Sequence, residues 1–169
     1  MKKTSLYLLI PAIAAILVVA GCGKKVTIKT QNGDVDADID VGTNSANINV
    51  NGSTLQTGDK ISLPTGFPSD VYVIDGTIKT AWSTPNLGYS VSLTTTKSMN
   101  EAKTLYESKL PSDGWTIAST GVYDQHSAVV TAQKGTTRTV TVTISDAESP
   151  TVVSITATES TATNTSTGE

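Results

Sequence analysis

The chain has 169 residues, of which 37% are hydrophobic, 5% aromatic and 16% charged; that is enough for one domain with an appendage. A single Cys and a single His exclude an intrachain disulfide framework and a four-ligand Cys/His zinc site. The formal net charge of -3 argues against a nucleic-acid partner, which calls for a basic surface.

The chain opens with Lys2 and Lys3, followed by an apolar run from Leu6 to Ala20 broken by Pro11. About fifteen residues at 1.5 Å each fall short of the roughly twenty that span a bilayer. A basic start, a short apolar run and small residues before Cys22 are the layout of a secretory signal peptide over residues 1–21. The junction Val19-Ala20-Gly21-Cys22 resembles the lipobox of bacterial lipoproteins. The resemblance implies a diacylglycerol on the Cys22 sulfur, cleavage before that residue and a mature chain starting there. Loss of Lys2 and Lys3 takes the formal charge from -3 to -5, so the lipid, not charge, must hold the protein to a membrane.

Residues 22–60 read as a polar tether, either small β-hairpins or a loosely ordered segment. They lack aromatics and alternate over Val26-Thr27-Ile28, Val35-Asp36-Ala37-Asp38-Ile39 and Ile48-Asn49-Val50. Asn32-Gly33, Gly42, Asn51-Gly52 and Gly58-Asp59 mark turns between them.

Residues 61–158 read as the domain proper. Pro64 and Pro68 keep the lead-in Leu63–Val71 extended, and Phe67, the only Phe, is expected to plug one end of the core. Strands are predicted over Thr77–Trp82 and Tyr89–Thr95, joined by a loop at Ser83–Gly88. Ser98-x-x-Glu101 is a capping box, and Met99, Ala102, Leu105, Tyr106 and Leu110 form a helical stripe. Pro111 and Gly114 are expected to stop that helix. Four further strands follow at Trp115–Thr120, Ser127–Lys134, Arg138–Ser145 and Thr151–Thr158.

The predicted fold is therefore α+β: a two-layer antiparallel sheet with one helix on one face, in the order ββαββββ. Its expected core is Ile78, Val91, Leu93, Leu105, Leu110, Trp115, Ile117, Val130, Val140, Val142, Ile144, Val153 and Ile155. Residues 159–169, all Thr, Ser, Asn, Ala, Gly and acid, are expected to be disordered. The phrase L-P-x-x-F-P-x-D-V at Leu63–Val71, with a helix ending in Gly114-Trp115, resembles uncharacterised domains of bacterial lipoproteins. These motifs are structural, and the resemblance implies no activity.

Four groupings invite a chemical reading. Asp34, Asp36, Asp38 and Asp40 alternate like a calcium-binding face, but Ile39 and Ser45 stand where an EF-hand loop needs Gly and an acid. A solvated strand face accounts for them, and no metal site is expected. His126 lies beside Asp124 and Ser127, yet adjacency on a turn does not make a triad, so no catalytic residue is assigned. Trp82, Tyr89 and Tyr123 are candidates for an aromatic ligand platform. The outward Thr139, Thr141 and Thr143 are ordinary fillers of an exposed strand face.

These readings converge on a non-enzymatic, lipid-anchored bacterial cell-envelope protein acting as a binding or interaction module. It would be exported and held to the outer face of the cell membrane or to the outer membrane. Its expected partners are the membrane, through Cys22, and an envelope protein or glycan, with no cofactor. The alternatives are a purely structural envelope component or a hydrolase built on a carboxylate pair, which needs neither His nor Cys.

Overall fold

The computed structural model describes residues 24–30, 33–40, 44–59 and 61–159, with 24–30, 33–35 and 37–40 described by strand pairing alone. The expected signal peptide and lipobox with Cys22, the turn residues Asn32 and Gly42 and the tail from 160 onward, expected to be disordered, lie outside the described residues.

Six strands precede the helix: β1 (Lys24–Thr30), β2 (Gly33–Asp40), β3 (Ser45–Val50), β4 (Ser53–Thr57), β5 (Thr77–Thr84) and β6 (Gly88–Thr95). The helix α1 (Met99–Ser112) is followed by β7 (Thr116–Asp124), β8 (Ser127–Lys134), β9 (Arg138–Ser145) and β10 (Thr151–Glu159). All ten strands form one antiparallel sheet in the order β1-β2-β3-β4-β5-β6-β10-β9-β8-β7. The fold is thus α+β, with one helix on an open antiparallel sheet. The order ββαββββ holds only from Thr77 onward, because four more strands precede it. The expected hairpins are present, but they do not stand apart as a tether. β4 pairs with β5, Leu55 opposite Trp82, so unpaired backbone groups on β5 recruit the hairpins into the sheet.

The two meanders, β1–β6 and β7–β10, meet where β10 pairs with β6. β7 lies at the far edge, so the chain leaving β6 must cross the sheet to reach it. That crossing is α1, which packs over β7, β8 and β9. Its capping box forms as predicted: Glu101 N–H donates to Ser98 Oγ at 3.4 Å, and Ser98 N–H donates to Glu101 Oε2 at 2.8 Å. Pro111 does not stop the helix but sits in its last turn. The stop is Gly114, in the left-handed region at φ 85°. Its N–H bonds to the Pro111 carbonyl and the Trp115 N–H to that of Leu110, both at 3.0 Å, a Schellman closure.

Alternating residues put Val91, Leu93, Val130, Val140, Val142, Ile144, Val153 and Ile155 under the helix, against Tyr106, Leu110 and Trp115. Of the expected core, Ile78, Leu105 and Ile117 are only partly buried. Val71 and Ile74 of the lead-in, Met99 of the helix and the alanines 81, 102, 128, 132 and 157 complete the core. Phe67 is partly buried at the margin.

Register reveals a reversal of polarity along the sheet. On the helix side, one row reads Asp36, Asn49, Thr54, Ser83, then Tyr89, Ala157, Val140, Ala132, Ile117. On the open side, the neighbouring row reads Val26, Ala37, Ile48, Leu55, Trp82, then Ser90, Thr156, Thr141, Thr131, Ser119. The apolar side of the sheet changes over between β5 and β6.

Candidate functional site

A cleft of about 430 Å³ opens at one end of the sheet. Two turns and the lead-in build it. The β3–β4 turn contributes Gly52, and the β5–β6 turn contributes Thr84, Pro85, Asn86 and Gly88. Thr65, Ser83, Tyr89 and Glu159 complete the lining. The β5–β6 turn closes with a Leu87 N–H bond to the Thr84 carbonyl at 3.2 Å, and Asn86 takes the left-handed conformation at φ 62°, one that Asn tolerates. Gly88 is required by packing as well as by its φ of 128°, because a Cβ there would collide with the Ala157 carbonyl oxygen. Tyr89 forms the aromatic wall and meets Phe67 edge-on, with ring centroids 5.9 Å apart at 72°. The rim is hydroxyl- and amide-rich, and Glu159 is the one carboxylate in the lining. Such a wall and rim suit a small polar ligand that offers hydroxyls to the rim and an apolar face to the ring.

Beneath this end of the sheet an ion cluster clamps the lead-in. Asp70 takes a bidentate pair of bonds from Arg138, both 2.7 Å, and a third from Lys134 at 2.8 Å. The Arg138 guanidinium lies 4.9 Å over the Trp115 ring, and the Trp115 indole N–H donates to the Asp70 carbonyl at 2.6 Å. Hydrogen bonding from Arg138, reinforced by Lys134, holds the Asp70 carboxyl well below the usual carboxylate range against the opposing effect of burial. Asp70 is the aspartate of the L-P-x-x-F-P-x-D-V phrase, so the phrase fastens the lead-in to β8, β9 and the helix end. A second, small hollow of about 30 Å³ lies between this cluster and Tyr89, lined by Pro68, Trp115, Arg138 and Glu159 among others.

The three aromatic candidates do not converge. Tyr89 lines the cleft, on the helix side. Trp82 pairs with Ser90, one position out of step, and so belongs to the open side, half-buried. Tyr123 is 77% exposed on β7, four strands from β6 and therefore roughly 19 Å away at about 4.8 Å per strand. The cleft residues Asn86, Thr65 and Glu159 were not singled out by the sequence; the only signal for them was the turn composition around Pro85-Asn86-Leu87-Gly88.

His126 sits in the β7–β8 turn, with Nδ1 3.1 Å from Asp146 Oδ1. Asp124 does not touch the ring but accepts the His126 backbone N–H at 2.8 Å. In the alternating aspartate strand, Asp36 is exposed, and the register sets Lys25 opposite Asp38 and Lys29 opposite Asp34. Among the described residues, no group of three or more His, Cys, Asp or Glu is placed to hold a metal ion, and no helix is long and apolar enough to cross a membrane.

The architecture defines a class: an α+β module whose lone helix crosses an antiparallel sheet and leaves a cleft at the sheet's end. Residues 76–165, more than half of the chain, match the model of the START domain-like family, and the protein belongs to that family. No curated protein and no solved structure matches it.

Proposed function

We propose that the protein is an exported, lipid-anchored component of a bacterial cell envelope and that its domain is a binding module. Membership of a START domain-like family suggests ligand binding. The observation that carries the reading is the cleft, with Tyr89 as its wall and Asn86, Thr65, Ser83 and Glu159 as its polar rim. In this reading residues 61–158, whose elements run ββαββββ, form the body of the binding module, Gly52 of the β3–β4 turn and Glu159 complete its cleft, and β1–β4 link it to the anchor at Cys22.

The ligand class that suits the rim is a hydroxyl-rich envelope glycan fragment. Its sugar face would stack on Tyr89, and its hydroxyls or an amino group would reach Asn86 and Glu159. Titration calorimetry of the lipidated protein with soluble peptidoglycan fragments tests this. Saturable heat that is lost in Asn86→Ala and Glu159→Ala is expected. Heat unchanged in both variants, or no heat from any fragment, would return the protein to the structural-component reading. Metabolic fatty-acid labelling tests the anchor separately: Cys22→Ser should lose the label, and equal labelling of wild type and variant would refute lipidation there.

A further inference from the structure

The reversal of polarity leaves an apolar surface that α1 does not cover. On the open side, Ile48 from β3, Leu55 from β4 and Trp82 from β5 stand in one row, with Val50 beside them. Val50 and Leu55 are each 37% exposed. The row continues into β1 and β2 through Val26 and Ala37. It ends abruptly at β6, where Ser90 and then Thr156 and Thr141 take over. No charged residue stands on this side of β3 or β4. Asp36 of β2 belongs to the other side: it pairs with Asn49, which pairs with Thr54.

A strand normally turns its apolar side toward a core, and among the described residues no helix covers this one. The length of chain before β1 says what lies nearest. β1 begins at Lys24, two residues after Cys22. At no more than about 3.6 Å per residue, a lipid on Cys22 enters the bilayer within roughly 7 Å of the first strand. A lipid on Cys22 would thus keep the uncovered apolar side within reach of a bilayer surface. The net charge opposes attraction to anionic headgroups, and the arrangement keeps Asp36 on the side away from them. Trp82 adds an indole, a side chain that favours the water–lipid boundary.

We propose that the open side of β3–β5, carrying Ile48, Val50, Leu55 and Trp82, docks on the lipid bilayer that holds the anchor. The inference rests on lipidation of Cys22. Because all the strands belong to one sheet, docking through β3–β5 fixes the orientation of the whole sheet on the membrane. The cleft belongs to the opposite side and the turn end, so docking leaves it open to the envelope space.

The test uses full-length protein, processed in a bacterial host and reconstituted into phosphatidylethanolamine–phosphatidylglycerol vesicles. These are doped with phosphatidylcholine brominated on its acyl chains, which quenches tryptophan on contact. Trp115 is 3% exposed and beneath Arg138, so the difference between wild type and Trp82→Phe isolates Trp82. Docking predicts strong loss of Trp82 emission, and relief of that loss in Leu55→Asp, whose exposed position should leave the fold intact. Fatty-acid labelling is measured on the same samples. A labelled protein whose Trp82 emission is unquenched overturns docking and leaves the anchor standing. An unlabelled protein overturns the anchor and the docking with it. Unquenched Trp82 with a disulfide dimer formed by Leu55→Cys assigns the surface to a second copy of the chain instead.

Discussion

Tyr106 is the side chain on which the attachment of the lead-in to the helix can be measured. It is fully buried, with 0% exposure, and its hydroxyl oxygen accepts the Ile74 backbone N–H at 3.3 Å. Ile74 is itself 2% exposed. Tyr106→Phe removes one oxygen and keeps the ring, including its edge contact with Tyr72 at 5.4 Å and 66°. The packing term is therefore small, and the cost is that of a buried N–H left without an acceptor, about 1–3 kcal/mol. The bond is longer than the usual 2.9–3.0 Å, which puts the expectation in the lower part of that range, about 1–2 kcal/mol. With a urea m-value near 2 kcal/mol/M, the midpoint falls by roughly 0.5–1 M with the slope unchanged. Exchange of the Ile74 amide, followed by NMR, should quicken in parallel. Burial also holds the Tyr106 phenol well above its ordinary value. A group with a raised folded value contributes stability below its unfolded value and loses it as pH rises. Wild type should therefore lose stability above about pH 10, and Tyr106→Phe should lose less. An unchanged urea midpoint in the variant would refute the view that this bond fastens the lead-in.

The Asp70 cluster should show the opposite pH dependence. Its depressed carboxyl contributes stability above about pH 4 that is lost as pH falls toward its folded value; Asp70→Asn, measured by thermal melts from pH 2 to 7, should flatten that acid limb and cost about 1–3 kcal/mol at neutral pH. Ser98→Ala removes the helix N-cap and should cost about 1 kcal/mol in the same melts, whereas Ser98→Asp should cost little. Leu110→Ala, at a fully buried site, should cost about 2–5 kcal/mol, and Leu105→Ala, partly exposed on the flank of the stripe, distinctly less; equal losses would mean that the helix is rotated about its axis so that both leucines face the sheet.

Much of the domain was legible because its signals are local. The capping box and the stripe from Met99 to Leu110 define α1 without reference to anything else. β8 and β9 run between the bounds that their alternation predicts, Ser127–Lys134 and Arg138–Ser145. What stayed hidden depends on distant partners. Val71 and Ile74 lie in an irregular segment with no period to mark them, and they are buried because Asp70 is held by Arg138, 68 residues away. The short alanines give no hydrophobic signal of their own, yet five of them line the core. That the three aromatics do not converge was hidden for a similar reason. Trp82 and Tyr89 flank one turn, but the turn sets Ser83, not Trp82, opposite Tyr89, and a shift of one residue sends a side chain to the other face.

The same parity rule explains why the uncovered apolar surface could not be read from the chain. Val35-Asp36-Ala37-Asp38-Ile39 and Val140-Thr141-Val142-Thr143-Ile144 show the same alternation, which establishes that each strand has two unlike sides. It does not say whether two strands present like sides to the same layer. That is decided by the turns and by the strand pairing that joins the meanders. The changeover falls between Trp82 and Ser90, at the β5–β6 hairpin, and before it the large apolar side chains Ile48, Val50, Leu55 and Trp82 lie on the side away from α1. Extending the helix-side core over β1–β4 would have required an in-phase turn and a second helix, and neither is present among the described residues. A sheet built this way has two apolar surfaces facing opposite directions. One is closed by the chain's own helix, and the other, nearest the N-terminus, calls for a cover from outside the fold, which is where a lipid on Cys22 would bring the bilayer.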